Sequence, residues 1–485
     1  MGTEHPDFER HVKEVAREFD ERLGLRASNE CYASLIKQGN TKPGARVILD
    51  DFSDIPFLDN IVGVEHYQLR SLLRASDGDI CLATCPDVEG YREYNRDVLG
   101  LGMPEFVRVD PGAHLPVAIS KASAEGASMD RLTTLARKAG SISIEPYMSI
   151  GAVWELAATL SRTSGVPCSV VGPPPPITAF ANDKSHVTTF ANALVRPILG
   201  RDASVPTRIS TSIQGVVSDL IAMAVETPEL AIKLPRCASA MGNYLLDAEE
   251  LEAARRGNRV HLETTVSRVL QEKNWNGTEA ILSVAWLDTL CSPSTQCWIP
   301  PLGEGQPFVD GVYEQLLIGP EKVFLGSVPA RLDDAHVDWM VKASQLIING
   351  YQQLGYVGRC SFDFIIHEGS PYLVECNGRW GGTSIPMQVV DRIVPGPRPA
   401  YRARDYVSDT LKGVAFTDLL TCLGDSLYDQ RTGKGRFIVY NVGCLEPFGK
   451  FDVIALGESQ EDASRFLEEE LPQRLTQSFG SAVNG

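Results

Sequence analysis

The sequence predicts an α/β fold, and three observations carry that expectation. In the first third of the chain, short apolar strand-like runs alternate with stretches of helical periodicity, the pattern of a parallel sheet with helical crossovers. The chain has 485 residues, 43% of them hydrophobic, which is enough to bury a large core and suggests two to four domains. Late in the chain, Ser361 to Asn377 reads as an apolar hairpin with charged residues at alternate positions.

Phe8, Val12, Val15, Phe19 and Leu23 recur at spacings of four and three, so the chain opens with an amphipathic helix. Ala45 to Leu49 is a short strand ending at Asp50-Asp51. Tyr67 to Leu73 reads as helical, Asp79 to Thr84 as a strand, Tyr91 to Leu99 as helix and Phe106 to Val109 as a third strand. Gly100-Leu101-Gly102 does not follow a strand and lacks the third glycine of a dinucleotide fingerprint, so it reads as a turn. Ser141 to Ile150 is a further strand, Val153 to Leu160 a helix face and Pro167 to Gly172 another strand. Pro173 to Pro176 is a stiff, extended connector and a candidate boundary. Ala280 to Leu290 is an apolar strand, and Asp333-Asp334 caps a helix to about Asn349. Beyond the hairpin, helix continues past Met387, Pro395 to Pro399 marks a loop, and Asp418 to Leu423 is helical. Phe437 to Asn441 and Phe451 to Leu456 are strands, Ser459 to Leu471 is an amphipathic helix, and Thr476 onward is expected to fray.

In the hairpin, Glu368-Gly369-Ser370 forms the loop. If it is centred on Gly369, His367 pairs with Pro371 and Asp363 lies opposite Glu375. Glu375, Asn377 and Arg379 then share one face. Two carboxylates facing each other across a ladder repel, and a sequence that places them there usually supplies a cation. Oxygen-only ligands of this kind suit Mg²⁺, with Mn²⁺ as a substitute, completed by substrate phosphates. Arg379 can hold a phosphate or carboxylate bidentately. Gly381-Gly382-Thr383-Ser384 offers backbone N–H groups and two hydroxyls to an anion. The plain alternative is a solvent-exposed hairpin with polar residues at its edge.

The array D-F-(x)10-E-x-N-x-R-x-G-G-T-S-x-P resembles the metal and phosphate signature of the ATP-grasp superfamily. Within it, the chain is similar to ligases with a pre-ATP-grasp domain, the pheganomycin-type peptide ligases among them. The segment G-V-E-H-Y-Q-L-R, Gly63 to Arg70, resembles the same group. The resemblance covers residues 45–390 and is most specific in 290–390. It implies an ATP-grasp fold, two α+β lobes sandwiching ATP, preceded by a Rossmann-like pre-ATP-grasp domain. The expected division is 1–175 for that first domain, 176–425 for the ATP-grasp part (small lobe 205–290, metal lobe 291–425) and 426–485 for a small α+β cap.

The resemblance also implies roles. Lys184, in Asn182-Asp183-Lys184, and Lys233, on the short strand E-L-A-I-K-L-P, would reach the nucleotide phosphates. The small-residue loop Arg236 to Asn243, with Ser239 and Gly242, would fold over them. Asp288 would meet the ribose, and Gln296 and Glu314 would belong to the nucleotide site. Asp363, Glu375 and Asn377 would hold the metal. Arg379 would stabilise developing charge, with Glu375 beside it and Gly382, Thr383 and Ser384 on the substrate. The implied activity is ATP-dependent joining of a small-molecule carboxylate to an amine through an acyl phosphate, in specialised metabolism, by a homodimer. A small-molecule kinase using the same site and a nucleotide-binding protein without turnover are the rival readings.

A net charge of −17 argues against a nucleic-acid or anionic-membrane partner. No secretory h-region and no long uncharged apolar run is visible, so a cytoplasmic protein is expected. Eleven scattered cysteines without paired C-x2-C spacing read as reduced thiols. Gly424-Asp425-Ser426-Leu427 matches a short esterase motif by letter, but every histidine lies far upstream, the last being His367.

Overall fold

The computed structural model describes residues 6–39, 44–56, 61–227, 229–237, 242–289, 291–319 and 323–480. The first sheet has six parallel strands in the spatial order Lys37–Gln38, Cys168–Val170, Ile142–Pro146, Ala45–Leu49, Ile80–Ala83, Glu105–Arg108. From Ala45–Leu49 the chain adds strands outward on one side, then returns to add them on the other. The order therefore reverses between Ala45–Leu49 and Ile142–Pro146. In open α/β sheets, ligands bind outside the carboxyl ends of the strands at such a point.

Local chemistry trims several expectations. The expected Ser141–Ile150 strand ends at Pro146, and the chain leaves the sheet for the helix Gly151–Ser164. The Tyr67–Leu73 stretch is a 3₁₀ helix, Val64–Leu73. The proline run is not an extended connector throughout. Pro174 is extended (φ −56°, ψ 147°), but Pro175 begins the helix Pro175–Ala181. A proline in the first turn loses no intrahelical bond, so the run starts a helix. The helices Leu25–Leu35 and Gly126–Ala139 and the strand Lys37–Gln38 were not anticipated.

A second sheet is antiparallel, in the order Thr207–Ser210, Ile281–Ala285, Leu230–Lys233, Asn243–Leu245. Helices Ile213–Met223, Ala248–Arg255 and Arg259–Glu272 supply its core, with Val216, Leu220, Leu262 and Val266 buried. The strand expected to reach Leu290 ends at Ala285, and Leu290 itself lies outside the described residues.

The third sheet has eight strands in the order Ser370–Asn377, Gly358–His367, Pro293–Ile299, Phe308–Ile318, Val323–Pro329, Ala400–Val407, Lys450–Gly457, Phe437–Tyr440. The two C-terminal strands extend this sheet through Ala400–Val407 and make no separate one. The last helix, Leu471–Phe479, runs through Thr476, where fraying was expected. One face of the sheet packs on helices Lys184–Leu199 and Asp334–Gln353. The opening helix, Pro6–Leu23, joins this core, Phe19 meeting Phe180 and Phe190 edge-on at 6.2 and 4.9 Å between ring centroids. Its apolar stripe covers the third sheet's helices, although it precedes the first sheet in the chain.

Candidate active site

The hairpin brings the two carboxylates together by a route the sequence does not show. Its loop is two residues, Glu368 (φ 46°) and Gly369 (φ 71°), both left-handed as a tight primed turn requires. His367 therefore pairs with Ser370, not Pro371. A one-residue bulge at Val374 then restores the frame, and Asp363 pairs with Glu375 as expected. Ser361 pairs with Asn377, so Asp363, Glu375 and Asn377 share a face.

Asn377 Nδ2 donates to Asp363 Oδ2 at 2.9 Å, and Arg379 Nη2 donates to Asn377 Oδ1 at 2.8 Å. Lys184 Nζ lies 2.8 Å from Glu375 Oε2 and donates to the Cys237 carbonyl at 3.0 Å. The position of Lys184 is set locally. Asp183 caps its helix, accepting from Ser185 N and His186 N at 2.9 and 3.2 Å. Asn182 grips the peptide of Gly378, accepting from its N–H at 3.0 Å and donating toward its carbonyl at 3.4 Å. A Cβ on Gly378 would sit 2.7 Å from Asn182 Nδ2, so the hairpin end must carry glycine to approach this closely.

Lys233 is buried on its strand, with Nζ 5.6 Å from the Trp286 ring centroid. Burial, with Lys184 beside it, lowers its ammonium to about 8, while Glu375 opposes that shift. Burial alone would raise the Glu375 carboxyl; Lys184 first, then Lys233 and Arg379, outweigh it and hold the carboxyl low. Asp363 goes the other way. Burial and the Glu375 charge lift it to about 6, against hydrogen bonds from Ser294 and Gln315 and the pull of Arg379. The two carboxylates have been pushed apart in acidity by their surroundings.

In the metal-free protein, then, the folded state favours protonated Asp363. The stability it contributes is present at low pH and is lost as pH rises from about 4 toward 6. A divalent cation bound at Asp363 would have to displace that proton, so its apparent affinity would fall about tenfold per unit below pH 6. Titration of Mg²⁺ into the nucleotide complex at pH 5, 6, 7 and 8 checks this; a flat profile would contradict it.

Gln296 is buried on the same face, donating to Ser294 Oγ at 3.0 Å, and pairs with Ser361. Glu314 is a correction. It pairs with Pro293, one position out of phase with the Ser294–Asp363 pair, so it falls on the helix-packed face. Its neighbour Gln315 faces Asp363. Gln315 and Ser294 were missed, though strict alternation from Tyr313 would have found the glutamine. Asp288 is exposed after the Ile281–Ala285 strand, its carbonyl 2.7 Å from His367 Nδ1. Ser239 lies outside the described residues. Gly242 closes the base of its loop, where a Cβ would meet Cys237 Sγ at 2.3 Å.

The anion loop is also revised. Ser384 Oγ accepts from Gly381 N at 2.7 Å and donates to Gly381 O at 3.1 Å, so this buried hydroxyl closes its own loop and is not free for a ligand. Thr383 is buried at the start of the helix Ser384–Ile393, and Gly382 lies under the Phe324 ring.

Tyr147, just past the Ile142–Pro146 strand, was not anticipated at all. Arg379 Nη1 donates to its hydroxyl at 3.3 Å, and the Trp380 N–H to its carbonyl at 3.1 Å. A cavity of about 30 Å³ lies here, lined by Tyr147, Ser149, Trp298, Tyr356 and Arg379. Ser426 donates its hydroxyl to the Leu423 carbonyl and is buried, which removes the esterase motif from consideration as a nucleophile.

No family model and no curated protein matches the chain. Solved structures do. N5-carboxyaminoimidazole ribonucleotide synthetase from Thermus thermophilus is similar at 14% identity and a TM-score of 0.50, over 90% of this chain and 99% of that one. The biotin carboxylase domain of Hydrogenobacter thermophilus 2-oxoglutarate carboxylase, a complex with MgADP and bicarbonate, is similar at 12% identity and 0.51, over 91% and 90%. Rhizobium etli pyruvate carboxylase gives 12% identity and 0.52, over 90% of this chain and 37% of that one. Together with the three sheets, these likenesses define the class of fold: an ATP-grasp fold preceded by a Rossmann-like domain.

Proposed function

We propose that the protein is an ATP-dependent carboxylate–amine ligase that works through an acyl phosphate and releases ADP and phosphate. The observation that carries this reading is the convergence of two buried lysines, from two different elements, on a carboxylate pair that faces an arginine. Lys184 and Lys233 hold positive charge where nucleotide phosphates would lie between the lobes. Both lysines now serve Glu375; a nucleotide would share them.

The oxygen set fits Mg²⁺. Among the described residues no three His, Cys, Asp or Glu side chains cluster tightly enough to hold a metal by themselves. Asp363, Glu375 and Asn377 would therefore be completed by phosphate and water, as Mg²⁺ prefers. When bound, the ion would neutralise the phosphate oxygens around the transferring group. Asn377 would have to turn its amide oxygen from Arg379 toward the ion. That would free Arg379 to steady negative charge on the acyl phosphate and on the tetrahedral species the amine forms from it. The pheganomycin-type peptide ligases remain the more specific resemblance, with an amide or peptide bond as product.

The test is phosphorus NMR of the protein with Mg-ATP and pooled amino acids, with and without hydroxylamine. ADP and phosphate with hydroxamate are expected. AMP with pyrophosphate would mean adenylation and overturn the reading, and a stable phosphorylated product would make the protein a kinase.

A further inference from the structure

The Arg379 side chain is held by oxygens of three residues. Nη2 donates to Asn377 Oδ1 at 2.8 Å, and Nη1 donates to the Trp380 carbonyl at 2.8 Å and to the Tyr147 hydroxyl at 3.3 Å. Among the described residues it makes no ion pair, so its charge stays available to a ligand. On the reading above, one of these holds is given up. An Asn377 that turns its oxygen toward the ion lets go of Nη2. The remaining holds are both on Nη1, and the Trp380 carbonyl belongs to the very next residue. Tyr147 is then the one anchor that comes from another part of the chain.

Tyr147 keeps its place without the arginine. It follows Pro146 at the carboxyl end of the Ile142–Pro146 strand, beside the point where the strand order of the first sheet reverses. It is buried, its ring meets Phe52 edge-on at 4.9 Å, and the Arg70 guanidinium lies 5.2 Å from its centroid. A buried phenol needs a partner, and among the described residues the hydrogen-bond partner of this hydroxyl is Arg379. The backbone at the hairpin end needs no help from that hydroxyl. The Trp380 N–H donates to the Tyr147 carbonyl at 3.1 Å, and the Trp380 ring lies 5.0 and 5.3 Å from the guanidinium carbons of Arg74 and Arg359. Those contacts survive loss of the hydroxyl, so what the hydroxyl fixes is the Arg379 side chain alone. There is space for it to stray. Tyr147 and Arg379 both line the cavity of about 30 Å³, which is room for about two waters and for an untethered guanidinium to swing toward.

We propose that Tyr147 is a positioning residue for the reaction. Its hydroxyl holds one arm of the Arg379 fork while Nη2, released by Asn377, meets the negative charge of the transferring group. Its ring, 5.7 Å from the Arg379 guanidinium carbon, steadies the same cation. This inference rests on the ligase reading and deepens it. The Rossmann-like domain supplies a working part of the active site, and Arg379 is preorganised only when that domain is docked against the hairpin end.

Calorimetric titration of the full chain with Mg-ADP, with and without aluminium fluoride as a stand-in for the transferring phosphoryl group, tests it. Wild-type protein should bind the fluoride complex at least about a hundredfold more tightly than Mg-ADP alone, as a transition-state mimic does. Tyr147→Phe should keep the wild-type affinity for Mg-ADP, which also reports that it is folded. It should lose about tenfold of the tightening, the value of one hydrogen bond to a charged group. In an Arg379→Ala background the same change should cost nothing further, because the hydroxyl acts through the arginine. Full tightening in Tyr147→Phe, or an equal further loss in the Arg379→Ala background, would overturn the proposal. So would loss of Mg-ADP binding in Tyr147→Phe, which would make the hydroxyl a support of the fold. Absence of any tightening in wild type would instead strike at phosphoryl transfer itself, and the proposal would fall with the reading beneath it.

Discussion

Asp363→Asn lowers turnover by about a thousandfold or more and, in metal-free buffer at neutral pH, raises the unfolding midpoint. The two effects have one cause. Asp363 faces Glu375 across the ladder and is held near pH 6 by burial and by that charge. Above that pH the folded state carries a carboxylate it disfavours; asparagine has the same shape and removes it, for a gain of about 1–2 kcal/mol. The same charge would hold the cation against nucleotide phosphates, where loss of one preorganised electrostatic contact costs about 10²–10³-fold and loss of a metal ligand more. Glu375→Gln should match the loss of turnover but lower the midpoint, because Lys184 loses its 2.8 Å partner. Steady-state ADP release and thermal melts in EDTA read both signs. Equal activity in either variant, or destabilisation by both, would contradict the assignment.

Arg74→Ala should cost about 3–5 kcal/mol of stability, the usual penalty for leaving one member of a buried ion pair alone. Arg74 is almost wholly buried. It pairs with Asp50, which is fully buried, and lies 5.0 Å from the Trp380 ring centroid. That stack ties the first sheet to the residue after Arg379, so the loss should reach activity as well. Arg70, 3.7 Å from Asp50, softens the penalty toward the lower end. Asp50→Leu combined with Arg74→Met should lose less than Arg74→Ala alone, because the two closest charges leave together and only Arg70, 3.7 Å away, loses a partner. Urea midpoints for the three proteins decide the matter; an Arg74→Ala change below about 1 kcal/mol would sink it.

Period-two alternation and hydrophobic runs made the hairpin and the first sheet's main strands legible, because both are written into adjacent residues. Register was not. Asp363 meets Glu375 only because a loop one residue shorter than expected is offset by the bulge at Val374, and no local signal marks that bulge. Glu314 was placed by resemblance, whereas the phase of its strand turns its neighbour Gln315 toward Asp363. The lysines were placed by resemblance, but the contact of Lys184 with Glu375 depends on the Asn182–Gly378 clasp, which joins residues far apart in sequence. Tyr147 carries no mark of its own, since its place comes from the carboxyl end of the first sheet meeting the segment that follows Asn377. Ser384 looked like a ligand because the sequence cannot show that its hydroxyl is already used.

The helix Pro6–Leu23 has a bearing on how the chain is made. It is synthesised well before the elements that bury it, since Val12, Val15 and Phe19 are covered by helices that begin at Pro175, Lys184 and Asp334. Until the last of these has been synthesised, the nascent chain carries an apolar stripe with nothing to bury it, while the first sheet is free to form beside it. Vectorial synthesis therefore sets an interval in which this stripe is open to chaperones or to neighbouring chains. A segment translated before the first sheet is thus locked in place after it.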